Sequence, residues 1–172
     1  LLHLFDVHLA TVLDPLCFIY LHTGQLEQVR QTAQVLIQGS THSGIAFIRS
    51  VGNWFLGLVC YQVNELEVAA QHFNQIVDNR YTAQVTNYRD AVAGLALIHQ
   101  IQGESSEAWR MVESISQFDL DQRGSEDTRT RSLRARLLLM HGDLESAGQW
   151  VDTLTGPPPD QPLLWLEEPQ VT

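Results

Sequence analysis

Apolar residues recur along this chain with the period of a helix, and the pattern repeats around four turn residues. Gly24, Asn64, Gly103 and Gly142 stand 40, 39 and 39 residues apart, and glycine and asparagine tolerate a left-handed turn after a helix. Apolar or small residues follow each of them five, nine and twelve positions later. Steps of three and four residues mark one helical face, so the pattern predicts a helix after every turn.

Short side chains stand at matching positions on both sides of each turn. Seven residues before the turn they are Cys17, Gly57, Ala96 and Ala135, and five residues after it they are Val29, Ala69, Ala108 and Ala147. Two helices joined by a tight turn approach closely only where their side chains are short. The two columns therefore predict the packing contact within each helix pair.

Each period predicts one helical hairpin, and stacked hairpins can bury an apolar stripe that a lone hairpin cannot. The predicted fold is all-α: a right-handed α-solenoid of about four helix-turn-helix repeats of 39–40 residues. The repeats are predicted at 9–40, 44–81, 86–120 and 127–159, and residues 160–172 start a further helix. The connections at 39–44, 118–127 and 155–162 contain the helix breakers glycine and proline.

The ends of the chain favour a segment of a larger protein. The sequence starts at Leu1 rather than at methionine, and it ends just after "PLLWLEEPQVT" begins a new pattern. We expect residues 1–172 to form a single helical-repeat domain cut from a longer chain. An exposed end that carries Trp165 and Leu166 would also allow copies to pair as a homo-oligomer.

Composition limits the partners that this chain can have. It contains no lysine and has a formal net charge of −10, which disfavours direct nucleic-acid binding because phosphate contacts need a basic face. Arg129, Arg131, Arg134 and Arg136 form a local exception, which we interpret as a solvated helix surface flanked by acids. No apolar stretch approaches the ~20 residues that a membrane helix needs. Two cysteines make no disulfide framework, which favours the reducing cytoplasm.

No constellation of residues predicts catalysis or a metal site. The seven histidines show no ligand spacing, and neither HExxH nor CxxC occurs. His99 stands in a column that also holds tyrosine and leucine, so a core or groove-edge position is expected for it. We therefore predict that this chain is not an enzyme.

The columns resemble the tetratricopeptide pattern, with a period that is longer than the usual one. That longer form is similar to the helical-repeat region of MalT-type, ATP-dependent LuxR-family transcription regulators. The resemblance lies in "GLVCYQVNELEVAAQHFNQIVDNRY", "RDAVAGLALIHQIQG", "RARLLLMHGDLESA" and "PLLWLEEPQVT", and it covers the chain from about residue 44 onward.

The resemblance implies a sensor or interaction region that lies between an ATPase part and a helix-turn-helix domain of the parent chain. ATP would be bound by the neighbouring domain, because no GxxxxGK[ST] loop is present in this sequence. The expected function is effector sensing or protein interaction in a bacterial transcription regulator. The alternative is a stand-alone tetratricopeptide-like scaffold that assembles a protein complex.

In tetratricopeptide-like stacks the first helix of each pair lines a concave groove, and such a groove suits a peptide, a protein partner or a small effector. The residues expected to line it are Asp14, Phe18, Trp54, Leu58, Tyr61, Asp90, Gln100, Arg129 and Arg136. The alternative is that Phe18, Trp54 and Tyr61 simply pack against adjacent helices.

Overall fold

A computed structural model describes residues 2–43, 45–81 and 83–151, and every regular element within these residues is a helix. The helices are α1 (Leu2–His22), α2 (Leu26–Ser43), α3 (Ala46–Gln62), α4 (Leu66–Val77), α5 (Val85–Ile101), α6 (Ser105–Arg123), α7 (Thr128–His141) and α8 (Leu144–Val151). The all-α prediction is confirmed. The predicted end of the fourth repeat and the further helix at 160–172 lie outside the described residues.

The four turn residues share one backbone geometry. Gly24, Asn64, Gly103 and Gly142 have φ values of 71°, 63°, 81° and 85°, so the predicted left-handed turns are confirmed. Each turn residue donates its N–H to the carbonyl three residues before it, and the next residue donates to the carbonyl four residues before the turn residue. This pair of bonds is the Schellman motif, which satisfies carbonyls that a helix end otherwise leaves unpaired.

Two predicted connections are partly helical. Helix α2 continues to Ser43 through "GSTH", and α6 continues to Arg123 through "FDLDQR". The expectation of irregular structure there was wrong, because an isolated glycine such as Gly39 costs a helix only about 1 kcal/mol. Helix α6 ends instead at Gly124, whose φ of 73° is left-handed. The polar run before Gly124 is therefore not what stops the helix.

The chain divides into two compact units, Leu1–Gly94 and Leu95–Thr172, with the boundary inside α5. In the first unit α1 packs on α2, α2 on α3 and α3 on α4. In the second unit α6 packs on α7 and α7 on α8. The prediction of a single domain over residues 1–172 is not tested by this division and stays a prediction.

The columns of short side chains are buried in both units. Cys17, Ala69, Ala96, Ala108, Ala135 and Ala147 are at most 3% exposed, and Gly57 is buried as well. The neighbour observed at Gly57 is the ring of Phe73, nine residues after the turn residue: a Cβ added to Gly57 would lie 2.4 Å from Phe73 Cε1. The absence of a side chain at Gly57 is therefore what lets α3 and α4 close around this ring.

Candidate functional site

The centre of the predicted groove is part of the core of the first unit. Trp54 and Leu58 are 4% and 1% exposed. The Phe18 ring lies 5.4 Å from the Trp54 ring and 5.0 Å from the Phe55 ring, centroid to centroid. Edge-to-face and tilted contacts of this kind stabilise a core beyond the area they bury. The low exposure favours the interpretation that Phe18 and Trp54 pack against adjacent helices.

Trp54 also ties α3 to α5. Its indole Nε1 donates a hydrogen bond of 3.0 Å to Oδ2 of Asp90, and the Asp90 side chain is buried. A buried carboxylate needs such donors, because burial without them carries a large cost in free energy. Two of the predicted groove residues therefore have a structural partner in each other.

The remaining predicted groove residues differ in how far their side chains are exposed to solvent. Tyr61 is half-buried at the end of α3, and Gln100 and Arg129 are half-buried in the second unit. Arg136 is exposed on α7. The structure brings Phe18, Trp54 and Asp90 together within the first unit, and Asp14 lines a pocket whose described lining includes none of these three.

Asp14 lines a pocket of about 140 Å³ between the first three helices. The described lining residues are Ala10, Thr11 and Asp14 of α1, Leu36 of α2, Ile45, and Phe47, Ile48 and Val51 of α3. Ile45 precedes α3 with an extended backbone, at φ −88° and ψ 93°. The α3 helix packs against α1 and α2.

Among the described lining residues, the pocket wall is apolar except for the Thr11 hydroxyl and the Asp14 carboxyl group. Asp14 is half-buried, and its burial raises the pKa of the carboxyl group above the usual value. One turn further along α1, the pKa of the buried Cys17 thiol is raised to about 12 by burial and by the charge of Asp14. A thiol with so high a pKa is a poor nucleophile, so we assign Cys17 to packing. Asp14 is the ionisable side chain among the described lining residues.

Sequence patterns identified part of this pocket and missed the rest. Asp14 is one of the residues expected to line a groove, and the structure places it in the pocket. Leu36, twelve positions after Gly24, belongs to the apolar face predicted for the second helix, and Ile45, Phe47 and Ile48 carried no prediction of a site. The available signal was the apolar run "IAFI", which directly follows the polar connection "GSTHSG".

The histidine side chains His72 and His99 each contact one polar side chain of the same unit. In the described ranges no group of three or more His, Cys, Asp or Glu side chains is placed to hold a metal ion. His99 Nδ1 lies 2.6 Å from Glu104 Oε2 across the turn that follows α5. His72 Nδ1 lies 2.9 Å from Asn53 Oδ1, and burial lowers the pKa of this imidazole. The His99–Glu104 pair lines a wide, open surface pocket together with Ser105 and Ser106.

The arginine cluster on α7 is partly neutralised. Arg134 Nη1 lies 2.7 Å from Glu113 Oε1, and its Nη2 lies 2.9 Å from Glu126 Oε1. These contacts match the interpretation of a helix surface flanked by acids.

Among the helices the structure describes, none combines the length and apolar character needed to cross a bilayer. Comparison with protein-family models, with curated proteins and with solved structures found no match to this chain. The resemblance to MalT-type regulators therefore stays a prediction that rests on the motifs quoted above.

Proposed function

We propose that this chain is a non-catalytic, effector-sensing module, and that the pocket between α1, α2 and α3 receives the effector. The observation that carries the proposal is an apolar pocket with a half-buried carboxyl group between two consecutive helical hairpins. Small-molecule sites are typically concave and apolar with a few fixed polar groups. The pocket has this character, whereas the aromatic cluster around Trp54 is filled by its own side chains.

A ligand in this pocket would contact both hairpins of the first unit. Helices α1 and α2 form the first hairpin, and α3 begins the second. A ligand that binds one angle between the hairpins more tightly than another shifts the population toward that angle. A complete switch from 1:99 to 99:1 needs a difference in binding free energy of about 5.5 kcal/mol between the two arrangements.

The wider proposal places this module in a cytoplasmic bacterial transcription regulator of the MalT type. Its helix pairs would stack as a right-handed solenoid of tetratricopeptide-like repeats, between an ATPase part that binds ATP and a helix-turn-helix domain. Support comes from the four Schellman turns, which recur at the 39- and 40-residue spacing seen in the sequence. Regular hairpins of this kind are the building blocks of solenoids.

The pocket can be tested with a filling variant and a matched control. Ala10→Phe places a ring into the pocket from α1, whereas Val12→Phe adds the same ring at a position that is 63% exposed. We expect compounds that raise the melting temperature of the wild type to act equally on Val12→Phe and to lose their effect on Ala10→Phe. Hydrogen exchange of α1–α3, measured with and without such a compound, would show whether binding alters both hairpins. Compounds that stabilise all three proteins equally would contradict the proposal.

A second candidate is a stand-alone scaffold for protein complex assembly. The burial of Trp54 and Leu58 favours it, because a groove filled by its own side chains leaves binding to the outer helix surfaces. The two candidate functions predict different domains in the parent gene. A GxxxxGK[ST] loop encoded upstream and a helix-turn-helix encoded downstream favour the sensor, whereas repeats alone favour the scaffold.

A further inference from the structure

We infer that the pocket between α1, α2 and α3 binds a small organic ammonium ion, whose charged group pairs with Asp14 and whose apolar body fills the rest of the pocket. The inference rests on the proposed function, because it names the class of effector for the same pocket. Three observations carry it: the size of the pocket, the chemistry of its wall and the surroundings of the Asp14 carboxylate.

The size and the wall select a compact apolar body. The pocket measures about 140 Å³. An apolar cavity of about 150 Å³ accommodates a benzene ring. Six of the eight described lining residues are Ala, Leu, Ile, Phe or Val. A ligand with one ring or a short branched chain would therefore fit, whereas a nucleotide or a sugar phosphate would be too large and too polar.

Asp14 selects the charge of the ligand. It is the one ionisable side chain among the described lining residues, and it has no hydrogen bond or ion pair with another described residue. Removal from water makes a carboxylate less stable unless a donor or a cation compensates. An ammonium group would supply both in one charge-assisted hydrogen bond, and an anionic ligand would be repelled.

The other interior aspartates show what Asp14 lacks. Asp90 accepts a hydrogen bond from the Trp54 indole, and Asp119 accepts bonds from the Asp127 backbone N–H and the Thr130 hydroxyl. One oxygen of each of these two carboxyl groups thus accepts a hydrogen bond from the chain itself. The structure gives Asp14 no such donor from a described residue, and it exposes the carboxyl group to a space that a ligand can enter.

The test uses three probes of similar size: benzylammonium, benzyl alcohol and benzoate. Isothermal titration and ligand-observed NMR with the whole chain would give the affinities. We expect benzylammonium to bind the wild type at least about tenfold more tightly than benzyl alcohol. A hydrogen bond to a charged group contributes at least about 1.5 kcal/mol, and about 1.4 kcal/mol corresponds to a tenfold change in affinity. Benzoate is expected to bind more weakly than benzyl alcohol.

Asp14→Asn tests the charge with the shape of the side chain retained. This variant should bind benzylammonium and benzyl alcohol with equal affinity, and the affinity for benzyl alcohol should be unchanged. Glu27→Gln is the matched control, because it removes the same charge from an exposed position on α2 that does not line the pocket. It should retain the full preference for benzylammonium.

The melting temperature of Asp14→Asn tests separately whether the Asp14 carboxylate lacks donors in the folded chain. Because burial raises the pKa of Asp14 in the folded chain, the unfolded chain holds the ionised form more favourably at neutral pH. Replacing the carboxylate with an amide should therefore raise the melting temperature at pH 7, which circular dichroism would show. A lower melting temperature would contradict the assignment of a carboxylate without donors.

The outcomes separate this inference from the proposed function. Equal affinity of the wild type for benzylammonium and benzyl alcohol, with both lost in Ala10→Phe, would overturn the ammonium inference and leave the pocket as the effector site. A preference for benzylammonium that survives Asp14→Asn would also overturn the inference. Failure of every probe and of the compound screen would overturn both.

Discussion

The interior of each compact unit is stabilised by different side-chain contacts, although both units use the same left-handed turn between paired helices. In the first unit, aromatic rings on α1, α3 and α4 form the interior, and Gly57 makes room for Phe73. In the second unit, a buried carboxylate joins the end of α6 to the start of α7. The repeat period thus sets where the chain turns, while the side chains between the turns determine how each unit is stabilised.

The polar junction of the second unit centres on Asp119. Its side chain is fully buried, and Oδ2 accepts bonds of 3.0 Å from the Asp127 N–H and 2.5 Å from the Thr130 hydroxyl. Asp127 in turn caps α7 by accepting a bond from the Arg129 N–H at 2.9 Å. A single carboxylate thereby fixes the connection that follows Gly124, whereas the buried carboxylate of Asp90 in the first unit joins α5 to the aromatic cluster through Trp54.

The largest loss of stability is expected from Phe73→Ala. Phe73 is fully buried against Gly57, and removal of a buried phenylalanine ring costs about 3–5 kcal/mol of unfolding free energy. Urea unfolding followed by circular dichroism would measure it. Val68→Ala on the same helix is the control, because Val68 is 39% exposed and should change stability by at most about 0.5 kcal/mol. Equal effects of the two variants would show that the first unit does not depend on its aromatic interior.

The second unit should be most sensitive at Asp119. Asp119→Ala leaves the Asp127 N–H and the Thr130 hydroxyl without their acceptor, which costs about 3 kcal/mol if both stay buried. Asp121→Ala is the matched control. Asp121 is an exposed aspartate two residues after Asp119, and the hydrogen bond recorded for its side chain comes from Gln117 rather than from α7. Unfolding in urea should show the difference. A loss below about 1 kcal/mol for Asp119→Ala would mean that water replaces the carboxylate.

The turns of both units and the buried columns of short side chains beside them could be predicted from the sequence, and the pairings of residues distant in sequence could not. Gly24, Asn64, Gly103 and Gly142 were identifiable because few residues adopt a positive φ, and among the described non-glycine residues Asn64 alone does so. The pairing of Trp54 with Asp90 joins residues 36 apart, which no local pattern specifies. The same is true of the pocket, since Leu36 and Ile48 meet Asp14 only after three helices have packed.

The ends of helices also depend on contacts with residues distant in sequence, which local patterns do not specify. The polar run before Gly124 suggested an early stop, but α6 continues because Asp119 is buried with donors from the next helix. A polar residue favours a loop only when water is its best partner. Where another helix supplies the hydrogen bond, sequence composition predicts the wrong boundary.

A smaller effect is expected at Gly57. Gly57→Ala places a Cβ 2.4 Å from the Phe73 ring, and overpacking of this kind costs about 1–3 kcal/mol, which exceeds the ~0.5–1 kcal/mol that alanine gains over glycine in a helix. The third repeat has alanine and valine at the equivalent positions, Ala96 and Val112, and both are buried. Phe73→Val should therefore relieve the crowding in the double variant. A double-mutant cycle in urea would measure the coupling, and simple additivity of the two changes would contradict the contact.

The smallest effect is expected from the ion pairs of the second unit. Arg134 bridges Glu113 and Glu126 and is 32% exposed, so solvent weakens both contacts. Arg134→Ala should lower the unfolding free energy by about 0.5–1 kcal/mol at low ionic strength, and the loss should shrink as salt screens the charges. Arg131→Ala, at an exposed position on the same helix, should have a smaller effect. If salt leaves the Arg134 effect unchanged, the packing of the arginine stem, rather than its charge, stabilises α7. Apolar contact of this stem would then stabilise the second unit alongside the Asp119 junction.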